Sequence, residues 1–165
     1  MKNLYKVYSD CLKICFDYKI PVADVIHIEV NSRAKKRWGL CKKLPNGEYI
    51  ISISDRLLED NVSNEATFDT MLHELIHTCP NCMNHGKEWK KWADVINRNT
   101  NYNIKRTTSY AEKGVEPPAP KYIVGCRTCS HKWYYNRAGA VVQNFAYYKC
   151  PYCKDFTLYM RTNKI

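Results

Sequence analysis

The sequence predicts an α+β fold followed by a small β-rich zinc ribbon. An amphipathic helical run opens the chain, three strand-like runs and two further helical runs follow, and the tail is short-stranded and carries two Cys-x-x-Cys pairs. At 165 residues with 45% apolar composition, one compact domain plus a small module is the expected organisation.

In residues 3–19, Leu4, Val7, Tyr8, Cys11, Leu12 and Cys15 recur at spacings of three and four, which is the period of a helix with one buried face. Cys11 and Cys15 fall on that stripe and read as core residues. Pro21 ends the helix. Residues 25–30 (VIHIEV), 38–43 and 48–53 read as strands, and Asn46-Gly47 supplies a hairpin turn between the last two, because both residue types tolerate positive φ. The expectation is a small antiparallel sheet. Ser63 or Asn64 can cap a helix whose buried stripe is Phe68, Met71, Leu72, Leu75 and Ile76. A second helix is expected over 87–97, with Trp89, Trp92, Val95 and Ile96 facing inward as core. Residues 99–120 lose periodicity and end in Glu-Pro-Pro-Ala-Pro, which reads as a linker. The predicted domains are 1–115 and 121–165.

His73-Glu74-Leu-Ile-His77 lies inside the first of those two helices. Residues i and i+4 share a helical face, so His73 and His77 can hold one metal from adjacent turns, with Glu74 beside them to take a proton from an attacking water. Zinc acidifies such a water toward a pKa of ~7. A catalytic zinc usually has a third protein ligand. His85, just before Gly86 and the next helix, is the best choice; His27 lies in an apparent strand, and Glu88 is a weaker option. Cys79 and Cys82 fall in the loop between His77 and His85. Three readings stand for them: packing, a thiol/disulfide switch, or a further metal. No residue is identified as the oxyanion stabiliser, and Arg33 or Tyr49 are only guesses at it.

Cys126-x-x-Cys129 and Cys150-x-x-Cys153, twenty residues apart, predict a closed tetrahedral zinc site of four cysteines. His131 could replace a cysteine, but four thiolates already satisfy zinc. The stretch between the pairs reads as a hairpin with Gly139 near its turn. A module this small has little core, so its metal should supply much of its folding energy. The expected cofactors are thus two Zn2+, one catalytic and one structural.

His-Glu-Leu-Ile-His (73–77), a short excursion, and then His85-Gly86 with Trp89 resemble the SprT-like (Spartan-related) family, and the preceding helix, strand and hairpin order is similar to theirs. The resemblance covers roughly residues 1–100 and extends to the ribbon, which many members carry. It implies a minimal zincin-like core (N-terminal helix, small sheet, His-Glu-x-x-His helix and following helix) and a zinc-dependent peptidase. In Spartan-like members that activity is directed at proteins on DNA, including crosslinked ones.

Charge distribution bears on partners. Residues 1–82 hold 11 Lys+Arg against 11 Asp+Glu, and residues 83–165 hold 15 against 5, which is the whole net charge of +10. A basic half suggests a polyanion, nucleic acid before membrane. The ribbon also interleaves Trp133, Tyr134, Tyr135, Tyr147, Tyr148 and Tyr152 with Arg127, Lys132, Arg137, Lys149 and Lys154, a pattern suited to stacking on single-stranded or distorted DNA, although about half of these rings are expected to fill the small core. No run approaches the ~20 apolar residues of a membrane helix, no secretory signal is expected at the N-terminus, and six of nine cysteines in Cys-x-x-Cys pairs fit a reducing, cytoplasmic setting. The competing reading is a zinc-stabilised nucleic-acid-binding protein with a silent His-Glu-x-x-His site, but a purely structural zinc would not need Glu74. A cytosolic peptidase without nucleic acid is a third.

Overall fold

Short helices and strands make up the first unit, and several of them begin where the sequence supplies a cap or a turn. A computed structural model describes residues 1–34 and 37–163, in two compact units, Met1–Glu116 and Pro117–Ile165. Helix α1 (Leu4–Asp17) starts at Asn3, whose side chain accepts from the Lys6 N–H, and buries Leu4, Val7, Cys11 and Cys15. Strands β1 (Val25–Asn31), β2 (Gly39–Lys43) and β3 (Tyr49–Ser54) follow. A 3-10 turn, Asp55–Leu58, leads to helix α2 (Asn64–Ile76), capped by Ser63, whose Oγ accepts from the Ala66 N–H at 3.1 Å. Helix α3 (Lys87–Asn99) completes the set.

The sheet is mixed, not antiparallel as expected. Its order is β1-β3-β2, with β1 parallel to β3 and β2 antiparallel to it. The cause lies in β3, which is buried along nearly its whole length, whereas β1 and β2 are mostly exposed. The strand with the most apolar surface takes the centre; the Gly47 hairpin (φ 89°) sets β2 antiparallel along one of its edges, and β1 pairs in parallel along the other. Helix α2 packs against α1, α3, β2 and β3, and Met71, Leu72, Leu75 and Ile76 are fully buried in that core.

Residues 100–116 form no helix or strand, yet they are not a free linker. Ile104, Lys113 and Val115 are buried, and Tyr110 packs edge-on against Trp38 with ring centroids 4.9 Å apart. Side-chain to backbone hydrogen bonds hold this segment, and those leave no periodicity to read.

The second unit is a three-stranded antiparallel sheet of β4 (Tyr122–Cys126), β5 (Lys132–Tyr135) and β6 (Leu158–Thr162), ordered β5-β4-β6. The expected hairpin around Gly139 is absent. Residues Ala140–Gln143 form one turn of helix, α4, and Phe145–Tyr147 a 3-10 turn. The bonds close locally there: Gln143 N–H donates to Gly139 O and the Gln143 side chain to Ala138 O, while Val142 alone turns inward. No described helix is long and apolar enough to cross a membrane.

Candidate metal centres and the cleft around Glu74

Helix α2 brings His73 and Glu74 to its last turn and His77 to its C-cap; the loop returns so that His85 lies just before Gly86, the N-cap of α3. The three imidazoles converge. His73 Nε2 lies 3.2 Å from His77 Nε2 and 2.8 Å from His85 Nε2. The edge of a tetrahedron with zinc–nitrogen bonds of about 2.1 Å is roughly 3.4 Å, so the spacing is close to that of three ligands on one ion.

Protonation makes the case stronger. The Nδ1 of His73 lies 2.9 Å from Lys105 O, and that of His77 lies 2.6 Å from Cys82 O. A carbonyl only accepts, so both Nδ1 atoms carry the proton and both Nε2 atoms present bare lone pairs to each other. Such an arrangement calls for a cation between them, and carbonyl partners of this kind orient metal-binding histidines. Burial, followed by the two neighbouring imidazoles, holds His73 down at about 3, so it stays neutral; burial also lowers His77 and His85. The Trp89 ring, buried in the core as expected, lies with its centroid 4.7 Å from those of His73 and His85.

Glu74 is buried beside this group. Burial pushes its carboxyl up to about 8, against the opposing effects of the Cys41 backbone N–H and the Arg37 charge. Gly39 is the residue that sequence reasoning missed here. A Cβ at that position would stand 2.5 Å from Glu74 Oε1 and 2.7 Å from its Cγ, so only glycine leaves the carboxyl its place. The surrounding cleft is about 400 Å³ and is lined by Trp38 and Gly39 at one wall and by Lys105, Arg106, Thr107 and Thr108 at another. Arg37 and Arg106 line it; Arg33 and Tyr49 do not.

The remaining options from the sequence lie elsewhere. His27 is exposed on β1, 3.9 Å from Glu29, and Glu88 stands in the first turn of α3 outside the converging set. Cys79 and Cys82 are buried in the core of the first unit, and burial pushes the Cys79 thiol up to about 12. They pack, and the backbone of Cys82 holds His77.

In the second unit, Cys126, Cys129, Cys150 and Cys153 gather with their sulfurs within 4.8 Å of one another. The Cys126–Cys153 and Cys129–Cys150 separations are 3.5 and 3.4 Å, beyond any disulfide bond and near the ~3.8 Å edge of a tetrahedron with 2.3 Å zinc–sulfur bonds. The two knuckles share a design: the residue after each pair, Ser130 or Lys154, has a left-handed φ of 61° or 65°. That bend aims backbone N–H groups at sulfur. Cys129 donates to Cys126, His131 to Cys129, Tyr152 and Cys153 to Cys150, and Asp155 to Cys153. The amide donors favour thiolates, the form a metal takes, while burial and the neighbouring sulfurs hold Cys129 and Cys153 up, Cys153 at about 12. His131 is not among the four and stacks on Tyr152 with ring centroids 3.7 Å apart.

The molecule is thus an α+β protein with a three-histidine group, built from the end of α2 and the loop before α3, beside a buried glutamate, and a separate four-cysteine group in a small sheet. The sequence model of the SprT-like family matches residues 4–108, and the chain belongs to that family. No curated protein matches the sequence. Family membership and both ligand groups fit a metallopeptidase, and both groups are compatible with zinc.

Proposed function

We propose that the chain is a zinc-dependent endopeptidase with a minimal zincin-like core, acting on proteins associated with DNA. The carrying observation is the juxtaposition of three convergent imidazole Nε2 atoms with the buried Glu74 carboxyl, which Gly39 leaves room for. His73, His77 and His85 would hold the catalytic ion, and Cys126, Cys129, Cys150 and Cys153 the structural one. Zinc bound to the histidines supplies Lewis acidity, acidifying water and polarising a peptide carbonyl. The rest belongs to the chain. Glu74, which lines the same cleft as the three histidines, is placed to take the proton of the attacking water and to return it to the leaving amine. Arg37 and Arg106, among the cations that line the cleft, are available to a developing oxyanion.

The second unit supports the DNA part of this reading. His131, Tyr152 and Trp133 stack as near-parallel rings, with Tyr152 well exposed, and Tyr147 and Phe156 are exposed nearby in sequence. A groove of about 510 Å³ is lined by Arg127, Lys132 and Arg161, and both arginines face the Tyr159 ring at 5.5 Å. Rings for bases and cations for phosphates are the elements of single-strand binding. The test is cleavage of a DNA-bound protein by the zinc-loaded chain, with and without single-stranded DNA, beside Glu74→Gln. DNA-stimulated cleavage that disappears in the variant supports the reading; DNA binding with no cleavage under any condition replaces it with a silent zinc-binding module.

A further inference from the structure

His73 depends on a carbonyl that belongs to no helix or strand. Its Nδ1–H donates to Lys105 O at 2.9 Å, and Lys105 lies in the irregular stretch after α3. A carbonyl in free chain would be a poor reference point for a metal ligand, because its position and its peptide orientation would fluctuate. Here the two preceding residues are fixed from two helices. On α3, Asn97 grips residue 104 at both ends of its backbone: Asn97 Nδ2 donates to Ile104 O at 3.0 Å, and Ile104 N–H donates to Asn97 Oδ1 at 2.7 Å. Only one orientation of the amide satisfies both bonds, so the side chain acts like a strand partner of a single residue. On α2, Asp69 Oδ1 accepts from the Asn103 N–H at 2.9 Å, one turn before His73 itself. The Ile104 side chain is buried in the core between these grips. Farther on, Lys105 Nζ is drawn outward to Glu112 at 2.9 Å, while its carbonyl faces His73.

We infer that Asn97 is a positioning residue of the histidine site: by clamping Ile104 it sets the Lys105 carbonyl, and through that carbonyl the tautomer and ring orientation of His73. Helix α3 then serves the site at both ends, with His85 just before its N-cap and Asn97 in its last turn. The inference rests on the reading that the three histidines hold zinc, but its structural half, the state of His73, is measurable without it. Groups that orient metal ligands from behind typically change metal affinity by about 10- to 100-fold.

The experiment uses the full zinc-loaded chain, comparing the parent with Asn97→Asp, which keeps size and acceptor but loses the amide donor, and with Asn97→Ala. One readout is zinc release to a chelating competitor, with the cysteine site as an internal reference. The other is the imidazole proton–nitrogen spectrum, which reports the His73 Nδ1–H and its exchange with water. The expected result is histidine-site affinity weakened about 10- to 100-fold, an unprotected His73 Nδ1–H, unchanged cysteine-site zinc and an intact backbone amide spectrum. Parent-like affinity with a protected Nδ1–H in both variants overturns the inference. So does a collapsed amide spectrum in both, which would make Asn97 a determinant of the fold. If the parent histidines take up no zinc, the metal reading fails, and the Nδ1–H comparison still decides the role of Asn97.

Discussion

Glu74 and Gly39 form a pair in which one residue does chemistry and the other makes room. Replacing Glu74 by Gln keeps the volume and removes the base, so cleavage should fall by ~10²–10⁴-fold, with zinc content and the fold retained; retained cleavage would remove Glu74 from the mechanism. Gly39→Ala tests the same carboxyl from outside. Its methyl would meet Glu74 Oε1 at 2.5 Å, so the carboxyl must move. Activity should fall by at least ~10-fold, since misplacement of a catalytic group by about 1 Å can cost ~100-fold, while zinc binding at the histidines persists. Wild-type activity in that variant would show that the carboxyl has slack. The buried cysteines make a third residue-scale case. Cys79 and Cys82 are inaccessible and Cys79 is held protonated, so alkylation of the native chain followed by mass spectrometry should leave both unmodified. Rapid modification would restore the redox reading.

At the scale of elements, the segment of residues 100–116 is the one whose role differs from its appearance in the sequence. Trp38 Nε1 donates to Thr108 O at 3.3 Å, the Arg56 guanidinium lies 5.2 Å from the Tyr110 ring, and Lys113 Nζ, buried, donates to Ala66 O at 2.9 Å and stands 4.0 Å from Asp69. Lys113→Met keeps the aliphatic length but leaves Ala66 O and the half-buried Asp69 without their cation. A destabilisation of ~1–3 kcal/mol is expected, read as a lower urea midpoint at constant slope. No change would mean that the segment is held by its apolar contacts alone.

For the molecule as a whole, the two units should respond differently to loss of metal. The first has a core of its own running from Leu4 to Val115, whereas the second buries only Val124, Val142, Cys126 and Cys150 among its described hydrophobic residues. Chelation should therefore collapse amide dispersion for residues 121–163 while the first unit keeps its spectrum. A folded second unit without metal would show that its sheet suffices. The basic groove makes a further whole-molecule prediction: DNA affinity should fall steeply with salt, and Arg161→Ala should reduce the slope of that dependence by about 1. A flat salt response would exclude phosphate contacts as the basis of binding.

The sequence by itself determined the features that repeat or that require particular side chains. The stripes of α1, α2 and α3 were legible because burial of a helix face recurs every three to four residues, and the Asn46-Gly47 turn because positive φ favours few residue types. The convergent histidines and the clustered cysteines were legible because metal chemistry demands those side chains at fixed spacing. Only the tertiary structure decided the parallel pairing of β1 with β3, the helical turn at 140–143, the packing of residues 100–116, the closeness of Gly39 to Glu74 and the grip of Asn97 on Ile104. Most of these are single events between distant positions, many of them made by backbone carbonyls, amides or the absence of a Cβ, while the turn at 140–143 closes locally without a period to announce it. The backbone is the same in every residue, so where it supplies the contact, the sequence carries no mark of it.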